Sequence, residues 1–221
     1  METNGDFTII GLTTPDVWDS TEEEAEAITG YLSNNPYCGY QDRSNEWPAI
    51  DFMHIRKIDT DPSYVRELLR LIPSALHCRL TLHSHPEVLH EFKFGGLHLK
   101  NGVNFNEGEG KMRISRSCHS LEEFLKMEGP ECSYSFLSPI FDSISKEGYN
   151  SKFSLSDQSL LETVDSHNII ALGGVTPDDF QKLYAAKFAG AALLGYLWSP
   201  KTEIAAKIHR IVEARIGLTR K

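Results

Sequence analysis

Residues 168–198 read NIIALGGVTPDDFQKLYAAKFAGAALLGYLW, and this stretch decides the fold class. It begins and ends with an apolar run, at 168–174 and at 189–198, of the length and composition of buried strands. Between the runs, residues 176–187 begin with Thr-Pro-Asp-Asp, in which Thr176 can cap a helix and the acidic residues favour its first turn. The stretch therefore predicts a strand, a helix and a second strand, the unit of a parallel sheet.

The same alternation of apolar runs and helix-like segments extends along the whole chain. The other clear runs lie at 7–14, 49–56, 78–83, 95–99 and 133–141. An eighth, at 112–117, is weakly patterned. Helical patterns lie between the runs, at 20–32, 61–72, 120–127 and 202–217. Residues 101–111 lack such a pattern, so we expect one connecting helix to be reduced to a loop.

Strands that alternate with helices form a parallel sheet with right-handed crossovers. A (β/α)8 barrel usually has about 200–250 residues, and this chain has 221. We therefore predict a single (β/α)8 barrel domain over residues 1–221, with an open, doubly wound sheet as the alternative.

Composition and charge restrict the function. The chain is 40% hydrophobic and 24% charged, with a net charge of −9. This balance is typical of a globular protein and argues against a general nucleic-acid-binding surface or a polybasic membrane patch. The four cysteines form no Cys-x-x-Cys pair, the first ten residues show no signal peptide, and no apolar run approaches 18 residues. We therefore predict a reduced, cytoplasmic protein.

Polar side chains gather where the predicted strands end, which is where a (β/α)8 barrel carries its active site. In chain order these residues are His54, Arg56, Lys57, His83, Ser84, His85, His98, Lys100, Ser117, Cys118, His119, Ser143, Ser145 and Lys146. The three that follow run 133–141 are notable, because a strand that only has to end needs a turn and not two hydroxyls and a cation. The pattern predicts an anionic ligand at this end of the barrel.

Glycines follow the seventh and eighth predicted strands. Gly173 and Gly174 precede the Thr176 cap, and Gly195 lies near the end of the last apolar run. Glycine lets backbone N–H groups approach an oxyanion, and barrels frequently bind phosphate after these two strands. A Gly-Gly pair also suits a tight turn before a helix. The two glycine positions together favour a phosphate site.

Five segments resemble one family when they are taken together. They are DFMHIRK, GLHLK, SRSCHSLEEF, YSFLSPIFDSISK and ALGGVTPDDFQKLYAAKFAGAALL, in this order between residues 51 and 198. They resemble, in the same order, the motifs of the thiamine phosphate synthase and TenI family, and DFMHIRK is closer to the TenI-type form. The resemblance implies a (β/α)8 barrel and an enzyme of thiamine biosynthesis that binds a small phosphorylated thiazole.

The family has two activities, and the resemblance allows a choice between them. Synthases join a pyrimidine pyrophosphate to a thiazole phosphate with Mg²⁺, which requires carboxylate ligands. Here the corresponding positions read HSH at 83–85 and KNGVN at 100–104, without a carboxylate. The second cation of the synthase motif falls on Ile58, with Lys57 beside it. TenI-type members isomerise a thiazole carboxylate phosphate tautomer by moving a proton, without a metal.

We therefore expect a TenI-like isomerase without a cofactor, and Mg²⁺ would be needed only if the synthase alternative holds. The resemblance implies that His119 is the general acid/base and that Lys146 is catalytic with it. Glycine N–H groups would hold the phosphate, while Arg56 and Lys146 would hold the carboxylate or a second anion. The substrate-binding positions are Arg56, Ser117, Ser143, Ser145, Gly173, Gly174 and Gly195.

Other interpretations stay open. His83 and His85, two residues apart on a strand, would face the same side and could bind a transition metal in a hydrolase. His98 is more typical of a hydrogen-bonded core histidine. A divergent thiamine phosphate synthase is the runner-up, and the missing carboxylates also suit a non-catalytic protein that binds thiazole or thiamine phosphate. The sequence does not determine the oligomeric state, so a homo-oligomer is one possibility. It also does not determine the role of the loop at 34–47.

Overall fold

Eight parallel strands form a closed barrel in the computed structural model, which describes residues 7–33, 48–103, 112–127, 132–142, 151, 153–201 and 203–218. The strands are β1 (Thr8–Leu12), β2 (Phe52–Ile55), β3 (Leu80–Leu82), β4 (Gly96–His98), β5 (Arg113–Cys118), β6 (Tyr134–Leu137), β7 (Ile169–Ala171) and β8 (Gly190–Leu193). They follow chain order around the barrel, and β8 pairs with β1 to close it. The predicted (β/α)8 barrel is confirmed, including its weakly patterned fifth strand.

Helices connect the strands on the outside of the barrel. The described α-helices are α1 (Thr21–Leu32), α2 (Pro62–Leu71), α3 (Leu121–Leu125), α4 (Gln158–Ser166), α5 (Phe180–Ala185), α6 (Gly195–Trp198) and α7 (Ile204–Leu218). Short 3-10 helices occupy Ser74–Arg79, Pro86–Val88 and Pro177–Asp179. In the part of the chain that the structure describes, none of the helices has the length and hydropathy of a membrane span.

Capping side chains fix where several helices begin, as the sequence predicts. The hydroxyls of Ser20 and Ser120 each accept the N–H of the residue three positions later. The carboxylate of Asp179 accepts both the N–H and the hydroxyl of Thr176, at 3.0 and 2.8 Å. These bonds satisfy N–H groups that a helix start leaves unpaired.

The structure corrects three expectations. Periodicity does not indicate α4, which begins after Asp157, whose carboxylate accepts the N–H of Ser159 at 2.9 Å. The last apolar run is a strand only as far as Leu193, and its end forms α6. Cys78 is disulfide-bonded, so the prediction of fully reduced cysteines is wrong there. The cytoplasmic location stays a prediction, and the loop at 34–47 lies outside the described residues.

Two apolar layers share the strands, because successive side chains of a strand point to opposite faces. The inner layer fills the barrel and consists of Ile10, Leu12, Tyr134, Phe136, Ile170 and Ala192. The outer layer packs between strands and helices and includes the fully buried Ile9, Met53, Ile55, Leu80 and Leu82. Polar side chains on the inner face, near the strand ends, are therefore set on a rigid apolar base.

A buried ion pair connects the end of β2 to α1. The Nζ atom of Lys57 lies 2.7 Å from Oε1 of Glu24, and both side chains are almost completely excluded from solvent. The hydroxyl of Tyr64 donates to the second Glu24 oxygen at 2.6 Å. Burial lowers the pKa of Lys57, and the Glu24 carboxylate opposes that shift. Lys57 is thus held by Glu24 and by the carbonyl of Asp16, and it does not face an anionic ligand at the barrel mouth.

Candidate functional site

Three histidines meet at the carboxyl ends of neighbouring strands. His54 lies in β2, His83 directly follows β3, and His98 is the last residue of β4. The N–H of His83 donates to the carbonyl of Ile55 at 3.2 Å, which continues the parallel pairing one residue beyond β3. Each imidazole offers a nitrogen, and these nitrogens all lie within 4.8 Å of one another. We call these three residues the histidine cluster.

Close contacts hold the rings of the cluster in place. Nδ1 of His54 lies 2.6 Å from Nε2 of His83, and Nε2 of His54 lies 2.7 Å from the hydroxyl of Tyr134. The rings of His83 and His98 are stacked, with centroids 4.0 Å apart and planes 13° from parallel. The cluster is therefore joined to the inner layer through Tyr134.

His98 also bonds to two hydroxyls of β5. Its Nδ1 lies 2.9 Å from the hydroxyl of Ser115, and its Nε2 lies 3.0 Å from the hydroxyl of Ser117. The hydrogen bonds expected of a core histidine are thus present, but the ring stacks on His83 at the barrel mouth. Ser117, a predicted binding residue, lies beside the cluster.

Burial keeps the cluster uncharged. It lowers the pKa of His54 and of His83 well below the usual 6.5, and that of His98 to about 4. The guanidinium groups of Arg116 and Arg56 add to the lowering at His98. The three imidazoles are therefore neutral near pH 7, and each keeps a nitrogen lone pair.

Acid should destabilise the protein through His98. Its pKa is about 4 when folded and 6.5 when exposed, so the unfolded chain binds the proton first. The stabilising contribution is complete above pH 6.5 and is lost as the pH falls toward 4. We compare the free energy of unfolding of chelator-treated wild type and His98→Gln by urea unfolding. Between pH 6.5 and pH 4, that of the wild type should fall by about 3 kcal/mol more than that of His98→Gln. An unchanged pH profile in His98→Gln would contradict the assignment.

The predicted pairing of His83 with His85 is wrong. The strand β3 ends before both residues, and His85 adopts a left-handed backbone with φ of 60°. Its Nε2 lies 2.8 Å from the carbonyl oxygen of Lys57, whereas His83 contacts His54 and His98. The sequence feature that indicates the cluster is a histidine near the end of each of three successive strands. The spacing of two residues between His83 and His85 does not indicate it.

His119 lies where β5 ends, beside the exit of β6. Its side chain is exposed, and its backbone N–H donates to the Glu123 carboxylate at 2.7 Å. Nδ1 of His119 lies 3.2 Å from both the carbonyl oxygen and the hydroxyl of Ser138. An Nδ1–H that donates to this carbonyl leaves Nε2 with a free lone pair, the state of a base.

The carboxylate next to His119 is already engaged. Glu123 accepts the His119 N–H through one oxygen and the side-chain amide of Asn101 through the other, both at 2.7 Å. Among the described residues, the histidine cluster is the one group of His, Cys, Asp or Glu side chains with metal-ligand spacing. The described residues therefore form no group of three or more carboxylates with metal-ligand spacing.

Arg56 brings positive charge to the barrel mouth. Its N–H donates to the hydroxyl of Thr13 at 2.8 Å, which fixes the backbone at the end of β2. Its guanidinium contributes to the lowered pKa of both His83 and His98, so it acts on the cluster. Within the described ranges this guanidinium has no hydrogen-bond or ion-pair partner, and it is available to an anionic group.

The Gly-Gly turn after β7 is a tight turn, and it is also the predicted phosphate site. Gly173 and Gly174 have left-handed backbones, with φ of 93° and 66°. Their N–H groups donate to no described residue, and free N–H groups at such turns form anion-binding concavities. The turn also packs closely, since a Cβ on Gly174 would lie 2.2 Å from the carbonyl oxygen of Asp142. Gly195, the third predicted glycine, begins α6 after the neighbouring strand β8.

Alanine at Gly174 should cost more stability than alanine at Gly102. Both glycines have positive φ, 66° and 78°, so an L side chain is strained at either position. At Gly174 the new Cβ would also overlap Asp142, whereas nothing lies within 4 Å at Gly102. In urea unfolding we expect a loss of about 1 kcal/mol for Gly102→Ala and about 3 kcal/mol for Gly174→Ala. Equal losses would contradict the close packing of the turn.

Three predicted residues of the loop after β6, Ser143, Ser145 and Lys146, lie outside the described residues. The positions on either side of this loop lie together, because the N–H of Ser151 donates to the Asp142 carboxylate at 2.7 Å. Asp142 and Ser151 therefore lie next to the Gly-Gly turn, because a Cβ on Gly174 would meet the carbonyl of Asp142. The roles of the loop's serines and lysine stay predictions.

Comparisons with known proteins identify the family of this chain. A family model described as thiamine monophosphate synthase matches residues 49–197. The crystal structure of thiamine phosphate pyrophosphorylase from Bacteroides thetaiotaomicron is similar, with 26% identity and a TM-score of 0.68 over 96% of this chain and 98% of that one. No curated protein matches the sequence.

More distant solved structures share the fold. The thiamine phosphate pyrophosphorylase from Pyrococcus furiosus is 13% identical, with a TM-score of 0.63 over 97% of this chain and 98% of that one. A (S)-3-O-geranylgeranylglyceryl phosphate synthase from Thermoplasma acidophilum is 12% identical, with a TM-score of 0.60 over 96% and 93%. The family model covers the cluster, His119 and the Gly-Gly turn, and the chain belongs to the thiamine monophosphate synthase and TenI family.

Proposed function

We propose that this protein isomerises a phosphorylated thiazole by proton transfer, without a metal ion. The observation that carries the proposal is His83, whose ring stacks on His98 at 4.0 Å, at a strand end where a synthase requires a carboxylate. Mg²⁺ prefers oxygen ligands, so a neutral imidazole is a poor replacement for that carboxylate. Histidine is, in contrast, the side chain best suited to carry a proton near neutral pH.

His119 is the general acid/base in this proposal. Its Nδ1 is held by the carbonyl of Ser138, so Nε2 can take a proton from one carbon of the thiazole and return it to another. Its exposed position allows exchange of the proton with water. Lys146 would stabilise the negative charge that develops when the first proton leaves.

The anionic groups of the substrate would bind on either side of His119. The N–H groups of Gly173 and Gly174, which donate to no described residue, would hold the phosphate together with that of Gly195. The guanidinium of Arg56, which has no partner among the described residues, would hold the carboxylate. The hydroxyls of Ser117, Ser143 and Ser145 complete this binding set.

Thiamine phosphate synthesis is the second candidate, favoured by the 26% identity to a thiamine phosphate pyrophosphorylase. One pair of assays separates the two. Chelator-treated protein is incubated with the thiazole carboxylate phosphate tautomer, and separately with the pyrimidine pyrophosphate, the thiazole phosphate and Mg²⁺. We expect conversion of the tautomer and no thiamine phosphate above the background without enzyme. Rapid formation of thiamine phosphate would overturn the proposal.

A third outcome would reassign the protein. If neither reaction proceeds although the isomerised thiazole phosphate binds, the chain is a non-catalytic binding protein. Calorimetry with that product gives this answer independently of turnover. Arg56→Ala should then weaken binding, because the guanidinium has no other described partner whose loss would complicate the result.

A further inference from the structure

We infer that His54, His83 and His98 form a binding site for one divalent transition-metal ion of the zinc type, with a fourth position open to the barrel mouth. The site goes beyond the proposed isomerisation, which uses His119 and needs no metal. Three imidazoles from three neighbouring strands offer nitrogens within 4.8 Å of one another. Three protein ligands and one open position is the arrangement of catalytic zinc sites.

The spacing of the nitrogens agrees with the size of such an ion. A Zn²⁺–N bond is about 2.0–2.1 Å long, so two tetrahedral ligand nitrogens lie about 3.3 Å apart. In the cluster, Nδ1 of His54 and Nε2 of His83 are 2.6 Å apart, and no two of the ligand nitrogens are more than 4.8 Å apart. The required value lies within this range. Rotation of the stacked rings of His83 and His98 would bring all three nitrogens around one ion.

The contact between His54 and His83 indicates where the ion would sit. At 2.6 Å, two imidazole nitrogens need a positive centre between them, because two lone pairs at that distance repel. The other nitrogen of His54 lies 2.7 Å from the Tyr134 hydroxyl and can donate its proton there. Nδ1 then carries a lone pair directed at His83, and a metal ion can take the place of the shared proton when His83 carries that proton on its Nδ1 instead.

Hydrogen bonds behind the cluster support the same assignment. Histidine ligands usually donate their second N–H to a nearby oxygen, which fixes the ring and its tautomer. Tyr134 serves His54 in this way, and Ser115, 2.9 Å from Nδ1, serves His98. Nε2 of His98 would then bind the ion, and its hydrogen bond with the hydroxyl of Ser117 would be lost.

Access and charge determine the fourth ligand. His54 is fully buried, whereas His83 and His98 are partly exposed, so the open position faces the mouth. The positive charge of Arg56 opposes a cation there, and an anionic fourth ligand such as hydroxide or a carboxylate would offset it. Nitrogen ligands select Zn²⁺ or Co²⁺ over Mg²⁺.

Metal titration of the full chain tests the site. Protein stripped with a chelator is titrated with Co²⁺, followed by the visible absorption of four-coordinate cobalt, and with Zn²⁺ by calorimetry. We expect one equivalent of each to bind and Mg²⁺ to produce neither signal. Affinity should fall at least about tenfold in His83→Gln and in His98→Gln. His85→Gln is the matched control, because His85 is bonded to the carbonyl of Lys57, and its affinity should not change.

The result that overturns the inference is equally specific. It is wrong if no stoichiometric binding occurs, or if His83→Gln and His98→Gln bind as tightly as the wild type. Circular dichroism of each variant confirms that a loss of binding does not come from unfolding. Failure of this site would leave the isomerisation untouched, because that activity is measured in chelator-treated protein.

Discussion

Replacing His119 by alanine should slow conversion of the thiazole tautomer by about 100- to 10,000-fold, the usual contribution of a general acid/base. The change removes the proton carrier and leaves the free N–H groups of Gly173 and Gly174 and the guanidinium of Arg56 in place. Affinity for the isomerised product should therefore change little. Initial rates at saturating tautomer, together with calorimetry of the product, measure the two effects separately.

The matched control for this variant is His209→Ala. His209 is an exposed histidine of α7, with 75% of its side chain accessible, and it lies outside the mouth. It should convert the tautomer at the wild-type rate. If His119→Ala also converts the tautomer at that rate, the base is another group, and the neutral histidine cluster is the first place to look for it.

Replacing Glu24 by alanine should destabilise the fold by about 3–5 kcal/mol, because it leaves a buried cation without its partner. Lys57 is fully buried and lies 2.7 Å from Glu24. The same change removes the acceptor of the Tyr64 hydroxyl. Urea unfolding at neutral pH measures the loss directly, and its m-value shows whether the denatured state has changed.

The matched control for Glu24 is Glu122→Ala on the protein surface. Glu122 pairs with Lys126 at 2.5 Å, but both side chains are more than two-thirds exposed. Surface pairs of this kind contribute about 0.3–0.5 kcal/mol, so the loss should be within that range. Equal losses in the two variants would show that the buried Lys57–Glu24 pair matters no more to the free energy of unfolding than a surface pair does.

Helix starts and the Gly-Gly turn could be predicted from the sequence because their causes are local. Ser120 and Thr176 cap helices through bonds to residues three positions away, which a linear pattern contains in full. Positive φ at Gly173 and Gly174 likewise follows from the residue type. The barrel itself follows from the repetition of such units and the right-handed crossover.

The histidine cluster could not be predicted in the same way because it is assembled by strand register. His54, His83 and His98 belong to three strands, and their contact depends on which residues face the barrel interior. The pairing of His83 with His85 requires β3 to extend three residues beyond its end at Leu82. The end of a short strand is set by tertiary packing, which no local pattern records.

Lys57 is an example of a residue whose role depends on a partner from another part of the chain. Arg56 and Lys57 directly follow β2, and the side chain of Lys57 is buried in an ion pair. Its partner Glu24 comes from α1, and nothing in the linear sequence connects the two residues. The inner cation is therefore Arg56, and the outer one stabilises the fold.

Isomerisation in D2O tests the central proposal most directly. Chelator-treated protein is mixed with the thiazole carboxylate phosphate tautomer, and the product is examined by NMR and mass spectrometry. We expect the isomerised thiazole to carry deuterium on the carbon that gains the proton, at a rate that added Mg²⁺ does not raise. Unconverted tautomer, together with thiamine phosphate formed from the synthase substrates and Mg²⁺, would contradict proton transfer as the function of this barrel.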